Sequence, residues 1–125
     1  MKVLICASGN TGRLSPFVQE QAESLIILGI QVDYFLISGK GILGYLKNYS
    51  SFMKMIKDKK YDLVHAHYGL SGLLATLQSK TPVIVTFHGS DVNIKKNLPF
   101  SLLASRLSRN NIFVHSSLAR RLMVS

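Results

Sequence analysis

Short apolar runs recur along this chain, each separated from the next by a stretch with helical spacing. They are "KVLICA" (2–7), "IQVDYFLI" (30–37), "DLVHA" (62–66), "PVIVTF" (82–87) and "NIFVH" (111–115). Runs that are apolar nearly throughout belong in strands buried on both faces, the condition of a parallel sheet. The intervening segments supply the cover. The pattern predicts an α/β fold: a Rossmann-like, doubly wound parallel sheet with helices on both faces. At 125 residues the chain fits one domain, 1–125, with no repeats, low-complexity segments or linkers.

The helices have their own signals. "SPFVQEQAESLIILG" (15–29) has Ser15 to cap it, Pro16 in its first turn and Gly29 to end it. Val18, Ala22 and Leu25 make its apolar face. "SGKGILG" reads as a flexible loop. Residues 45–59 form one amphipathic helix, with Tyr45, Tyr49, Phe52, Met53 and Ile56 on one face and Lys47 and Lys54 opposite. That face fits either the core or an anionic membrane surface. Segment 71–79 is helical, 98–109 is a helix with Asn97 as its cap, and "SSLARRLMV" starts another.

Charge narrows the partners. Fifteen Lys and Arg against six Asp and Glu give +9, a field that attracts phosphate on nucleic acid, anionic lipid or nucleotide. The single cysteine, Cys6, sits in an apolar run, which fits a reducing compartment and no disulfide framework. No run approaches the ~20 apolar residues that span a bilayer, and the N-terminal apolar run ends too soon for a signal peptide. The expectation is a cytoplasmic protein, soluble or peripheral at the inner face of the membrane.

In a doubly wound sheet, ligands bind at the carboxyl ends of strands. The strand 82–87 ends there in His88-Gly89-Ser90-Asp91. His88 can donate a hydrogen bond or carry a proton near neutral pH. Gly89 lets the backbone turn and a ligand approach. Asp91 can accept from sugar hydroxyls or fix the His88 tautomer. The plain alternative is a turn in which Asp91 caps the next segment. The first strand ends in "ASGNTGRL", where Gly9, Asn10 and Gly12 precede a capped helix and Arg13 adds a fork for phosphate. A tight turn alone would also explain it. The third strand ends "VHAHYGLSG". His65 and His67, two apart, point the same way on a strand. A metal site would need more ligands than this pair, and neither the remote Cys6 nor a carboxylate cluster supplies them. One histidine is expected to pack at the core edge and His67 to face the crevice.

Together these segments resemble the N-terminal, acceptor-side half of a GT-B-fold glycosyltransferase, most closely the family 4 retaining enzymes. The resemblance is carried by "SGNTG", "VQEQAESLIILGIQV", "YDLVHAHYGLSGLLA", "TPVIVTFHGSD" and "FVHSSLARRL". It implies that this domain binds a glycan or lipid-linked acceptor while a second domain binds a nucleotide-sugar. No cofactor is implied for this domain. Gly12 would lie near the donor phosphates, His88 would touch the transferred sugar or the acceptor in a loop with Gly89 and Ser90, Asp91 would support that loop, and Ser116 would line the cleft wall. The family's donor motif, two glutamates with seven residues between them, has no counterpart: the glutamates here are Glu20 and Glu23. The expectation is a domain incomplete at its C-terminus, without its donor-binding partner domain and inactive alone.

Two other readings stay open. "CASGNTGR" is close to the dinucleotide loop of short-chain reductases, with Asp33 as a ribose-binding acid, so an NAD(P)-binding domain is the first alternative. Cys6 stands where that loop needs its first glycine, and no Tyr-x-x-x-Lys pair occurs. A non-catalytic basic module for membrane or nucleic acid is the second, although no nucleic-acid motif is present.

Overall fold

The computed structural model describes residues 1–9, 15–39, 41–78, 80–87 and 98–113. In chain order the elements are β1 (Lys2–Ser8), α1 (Pro16–Ile27), β2 (Gln31–Ile37), α2 (Gly41–Leu46), α3 (Tyr49–Lys59), β3 (Leu63–His67), α4 (Gly69–Thr76), β4 (Val83–Phe87), α5 (Leu98–Leu107) and β5 (Asn110–Phe113). The strands form one sheet in the order β2-β1-β3-β4-β5. Every pairing is parallel.

That order explains the two layers. From β1 the chain steps outward to β2, then crosses back over β1 and steps the other way through β3, β4 and β5. Crossovers of one hand that run in opposite directions place their helices on opposite faces. The two apolar clusters follow. Val3, Ile5 and Ala7 pack with Val18 and Ala22 of α1. Leu4, Cys6, Val64, Ala66, Val83, Val85 and Phe87 pack on the other face with Phe52, Ile56 and Leu74 from α3 and α4. The period-2 alternation of each strand thus sorts its side chains between two helical layers.

Local chemistry sets the boundaries. Ser15 Oγ accepts from Val18 N at 3.4 Å and Pro16 occupies the first turn of α1. Gly29, at φ +87°, turns the chain into β2. The segment 45–59 is a place where the structure departs from the pattern. It is two helices, and the expected loop before it contains α2. Asn48 makes the break. Its side-chain amide donates to Ser38 O and Gly44 O, each at 2.8 Å, and its Oδ1 accepts from Ser38 N at 3.3 Å. These bonds tie the helix junction to the end of β2. The apolar face of α3 points inward: Phe52 and Ile56 are buried, and Tyr45, Tyr49 and Met53 pack around them. Of the two uses open to that face, the structure displays the core one.

Gly72 shows how tightly α4 sits on the sheet. A Cβ there would lie 2.7 Å and 2.8 Å from the two γ-carbons of Val85. Val85 is fully buried and stiff at χ1. Gly72→Ala is therefore expected to destabilise by about 1–3 kcal/mol through overpacking, outweighing its helix-propensity gain. A chemical-denaturation midpoint reads this directly, and an unchanged or raised midpoint would mean that α4 can lift off β4.

Burial also sets an alkaline limit. Cys6 is enclosed in the sheet, and desolvation pushes its thiol well above its ordinary 9.0. Tyr61 is pushed well above its ordinary 10.0, first by burial, then by its hydrogen bond to Asp33 and the charge of that carboxylate. Both folded-state values are raised, so the folded chain holds these protons more tightly than the unfolded chain. The associated stability is present below the ordinary values and is lost as pH rises above them. Denaturation midpoints should fall from about pH 9 upward, and Tyr61→Phe should flatten the part of that fall above about pH 10. An identical alkaline slope in the variant would remove Tyr61 from this account.

Candidate functional site at the carboxyl edge

Strands β1 and β3 are neighbours whose connections leave in opposite directions, which makes their carboxyl ends the switch point of the sheet. Ser8, His67 and Phe87 end β1, β3 and β4 on this edge. Gly9 follows β1 directly. Its N–H donates to Ile37 O at 2.8 Å, and a Cβ would lie 2.8 Å from the Leu36 Cβ. Glycine is required here because β1 leaves the sheet hard against β2.

Two of the expected site residues, Gly9 and His67, fall among the described residues, and both lie at the switch point. Asn10, Gly12, Arg13, His88, Gly89, Ser90, Asp91 and Ser116 lie outside them, as do the Asn97 cap and the helix expected after Ser116. The end of β4 is placed: Phe87 is fully buried at the carboxyl edge.

His67 differs from its expected orientation. Its ring is fully buried rather than open to the crevice. The cause is the central position of β3, between β1 and β4. His65 and His67 do point the same way, and their rings stack with centroids 4.5 Å apart at 26°. His65 Nε2 and Thr86 Oγ1 are 2.7 Å apart in a buried hydrogen bond that links β3 to β4. The pair therefore forms a polar layer inside the sheet. Among the described residues no carboxylate or thiol completes a cluster with it.

The turn after β3 holds a feature that sequence reasoning missed. Tyr68 adopts φ 73° and ψ 154°, a region populated almost entirely by glycine. Its N–H donates to Thr86 O at 2.9 Å, which fixes the strained residue against β4. Such strain costs about 1–3 kcal/mol and persists where the surroundings over-determine it, commonly at functional turns. In the first turn of α4, Ser71 is fully buried, and its Oγ has no hydrogen-bond partner among the described residues. Nothing in "HYGLS" distinguishes these two residues from an ordinary strand-to-helix turn.

The ribose role considered for Asp33 meets an obstacle. Asp33 pairs with Leu4, four residues before the end of β2, which is about 13 Å from the carboxyl edge. Its carboxylate accepts from the Tyr61 hydroxyl at 2.6 Å and lies 3.8 Å from the Lys59 ammonium. It is a bracing residue between β2 and the end of α3.

The arrangement is thus a parallel sheet with a glycine exit from β1, a buried histidine layer in β3 and a strained turn into α4, all at one edge. A family model described as "Glycosyl transferase 4-like" matches residues 14–120. The matched span begins after the glycine turn and takes in α1 through β5. A search of curated proteins returns no match.

Proposed function

The chain belongs to the glycosyl transferase 4-like family, and we propose that it is the acceptor-side domain of a transferase that moves a sugar from a nucleotide-sugar to a glycan or lipid-linked acceptor with retention. The observation that carries this is the family match across residues 14–120, on a sheet whose switch point is the expected ligand edge. In this reading the nucleotide-sugar is held by a second α/β domain.

The roles follow from chemistry. His88 binds the transferred sugar. Gly89 and Ser90 let it approach, and Asp91 braces the loop. Gly12, with Gly9, Asn10 and Arg13, serves the donor phosphates, and Ser116 serves the cleft wall. His67 and His65 act from beneath, as the polar layer on which the turn into α4 rests. The departing nucleotide phosphates gain negative charge in the transition state, and preorganised donors and cations aimed at them lower the barrier. A net charge of +9 suits phosphate-bearing substrates and an anionic inner membrane surface. No helix among the described residues is long and apolar enough to cross a membrane. With the apolar face of α3 packed in the core, attraction to such a surface is electrostatic.

The test is sugar transfer by the full-length protein from a panel of radiolabelled UDP- and GDP-sugars to membrane-lipid and polysaccharide extracts. Label in the acceptor fraction supports the reading. No transfer from any donor, together with tight NADPH binding, would replace it with the dinucleotide reading of the loop at residues 8–12.

A further inference from the structure

At the amino edge of the sheet, the C-terminal end of α3 meets the segment that leads into β4. Ile56, Lys57, Lys60, Tyr61, Lys80 and Thr81 line a hollow of about 330 Å³ there. We propose that this hollow binds a phosphate- or diphosphate-bearing ligand at a site separate from the carboxyl-edge cleft. The five residues of β4 separate the two edges by roughly 15 Å.

The charge is uncompensated. Three lysines line the hollow and no carboxylate does. None of the three side chains makes a hydrogen bond or ion pair with a described residue. Lys57 and Lys60 have an ordinary reason to be there, since cations suit the negative end of α3. Lys80 has no such reason: it comes from a different segment and brings a third like charge to the same space. Like charges held together are unfavourable until an anion joins them.

The walls are built. Gln78 Oε1 accepts from Thr81 N at 2.9 Å, and its Nε2 donates to Thr81 O at 2.8 Å and Ala75 O at 3.1 Å. That clamp fixes the backbone that carries Lys80. On the other wall Lys60 sits at φ 49°, a left-handed cap where glycine would be easier. A neighbouring hollow of about 760 Å³ makes the contrast. It is lined by Lys2 and Lys59 but also by Asp33 and Asp58, and its Lys59 pairs with Asp33 at 3.8 Å. What sets the Lys57–Lys60–Lys80 hollow apart from that one is a lining with three cations and no carboxylate.

The experiment is calorimetric titration of the full chain with sodium pyrophosphate at low salt, beside sedimentation with phosphatidylcholine vesicles containing phosphatidate. Lys80→Ala and Lys60→Gly are each expected to weaken binding roughly tenfold, the scale of one charge-assisted contact. Lys60→Gly keeps the left-handed cap, so the variant folds, and a melting curve verifies this. Lys47→Ala, in the turn that precedes α3, should leave binding unchanged. Lysine-dependent binding of pyrophosphate identifies a soluble ligand, and lysine-dependent binding of vesicles alone identifies a lipid phosphate. Either supports the site. Binding of neither probe overturns it, as does equal weakening by Lys47→Ala, which would mean diffuse attraction to net charge.

Discussion

Replacing His88 with alanine in the full-length enzyme is expected to lower turnover at least about 100-fold while leaving the fold intact, the scale of one lost transition-state contact. The reasoning starts from β4. Val83, Val85, Thr86 and Phe87 are buried, so the strand is fixed to its last residue. The next residue in the sequence is His88, at the edge where a doubly wound sheet binds its ligands. An imidazole there can donate to a sugar hydroxyl or to the developing charge on the leaving phosphate. The loss should fall on kcat, because the contact strengthens as the glycosidic bond breaks. Near-normal turnover with an unchanged melting curve would reduce His88 to a turn residue and move the search to Ser71 and Tyr68.

Phe52→Ala is the largest stability change expected, about 3–5 kcal/mol, a major part of the 5–15 kcal/mol that holds a domain of this size. Phe52 is fully buried on α3 and meets Phe35 of β2 edge to face, with ring centroids 5.4 Å apart. Removing it leaves a cavity between α3 and the sheet. Phe52→Leu should recover much of the loss by refilling that volume. The same variant separates the two uses considered for this helix face. If the face served a membrane, Phe52→Ala would reduce vesicle binding and leave the denaturation midpoint almost unchanged. A loss below about 1 kcal/mol would contradict the packing of α3 described above.

Much of the architecture was legible because burial on both faces leaves a strong mark. The runs that begin at Lys2, Ile30, Asp62, Pro82 and Asn111 each became a strand within about two residues of the expected ends. Ser15, Pro16 and Gly29 acted locally, as short-range signals do. The miss at 38–48 has a physical cause. "SGKGILG" is glycine-rich and reads as loop, yet Gly39 and Gly44 pack within 3 Å of each other's prospective Cβ, and Asn48 reaches back to Ser38. A close glycine contact and a bond spanning ten residues are tertiary facts, and periodicity carries neither. The histidine layer was half legible. The spacing of His65 and His67 fixed their common direction. The partner of His65 is Thr86, twenty-one residues away, and only the pairing of β3 with β4 brings it close. The burial of His67 follows from the central place of β3, which depends on strand order. Tyr68 had no signal, because its strain comes from the turn it must make rather than from its type.

The measurement that bears most directly on the central claim is the anomeric configuration of the product, read by proton NMR. Full-length protein would be given an α-linked nucleotide-sugar and the acceptor that takes up label. The account predicts transfer, with the new bond in the same α configuration as the donor. A β-linked product would contradict the retaining mechanism. Failure of every donor to transfer, with the protein folded, would contradict the assignment of the carboxyl edge to sugar transfer.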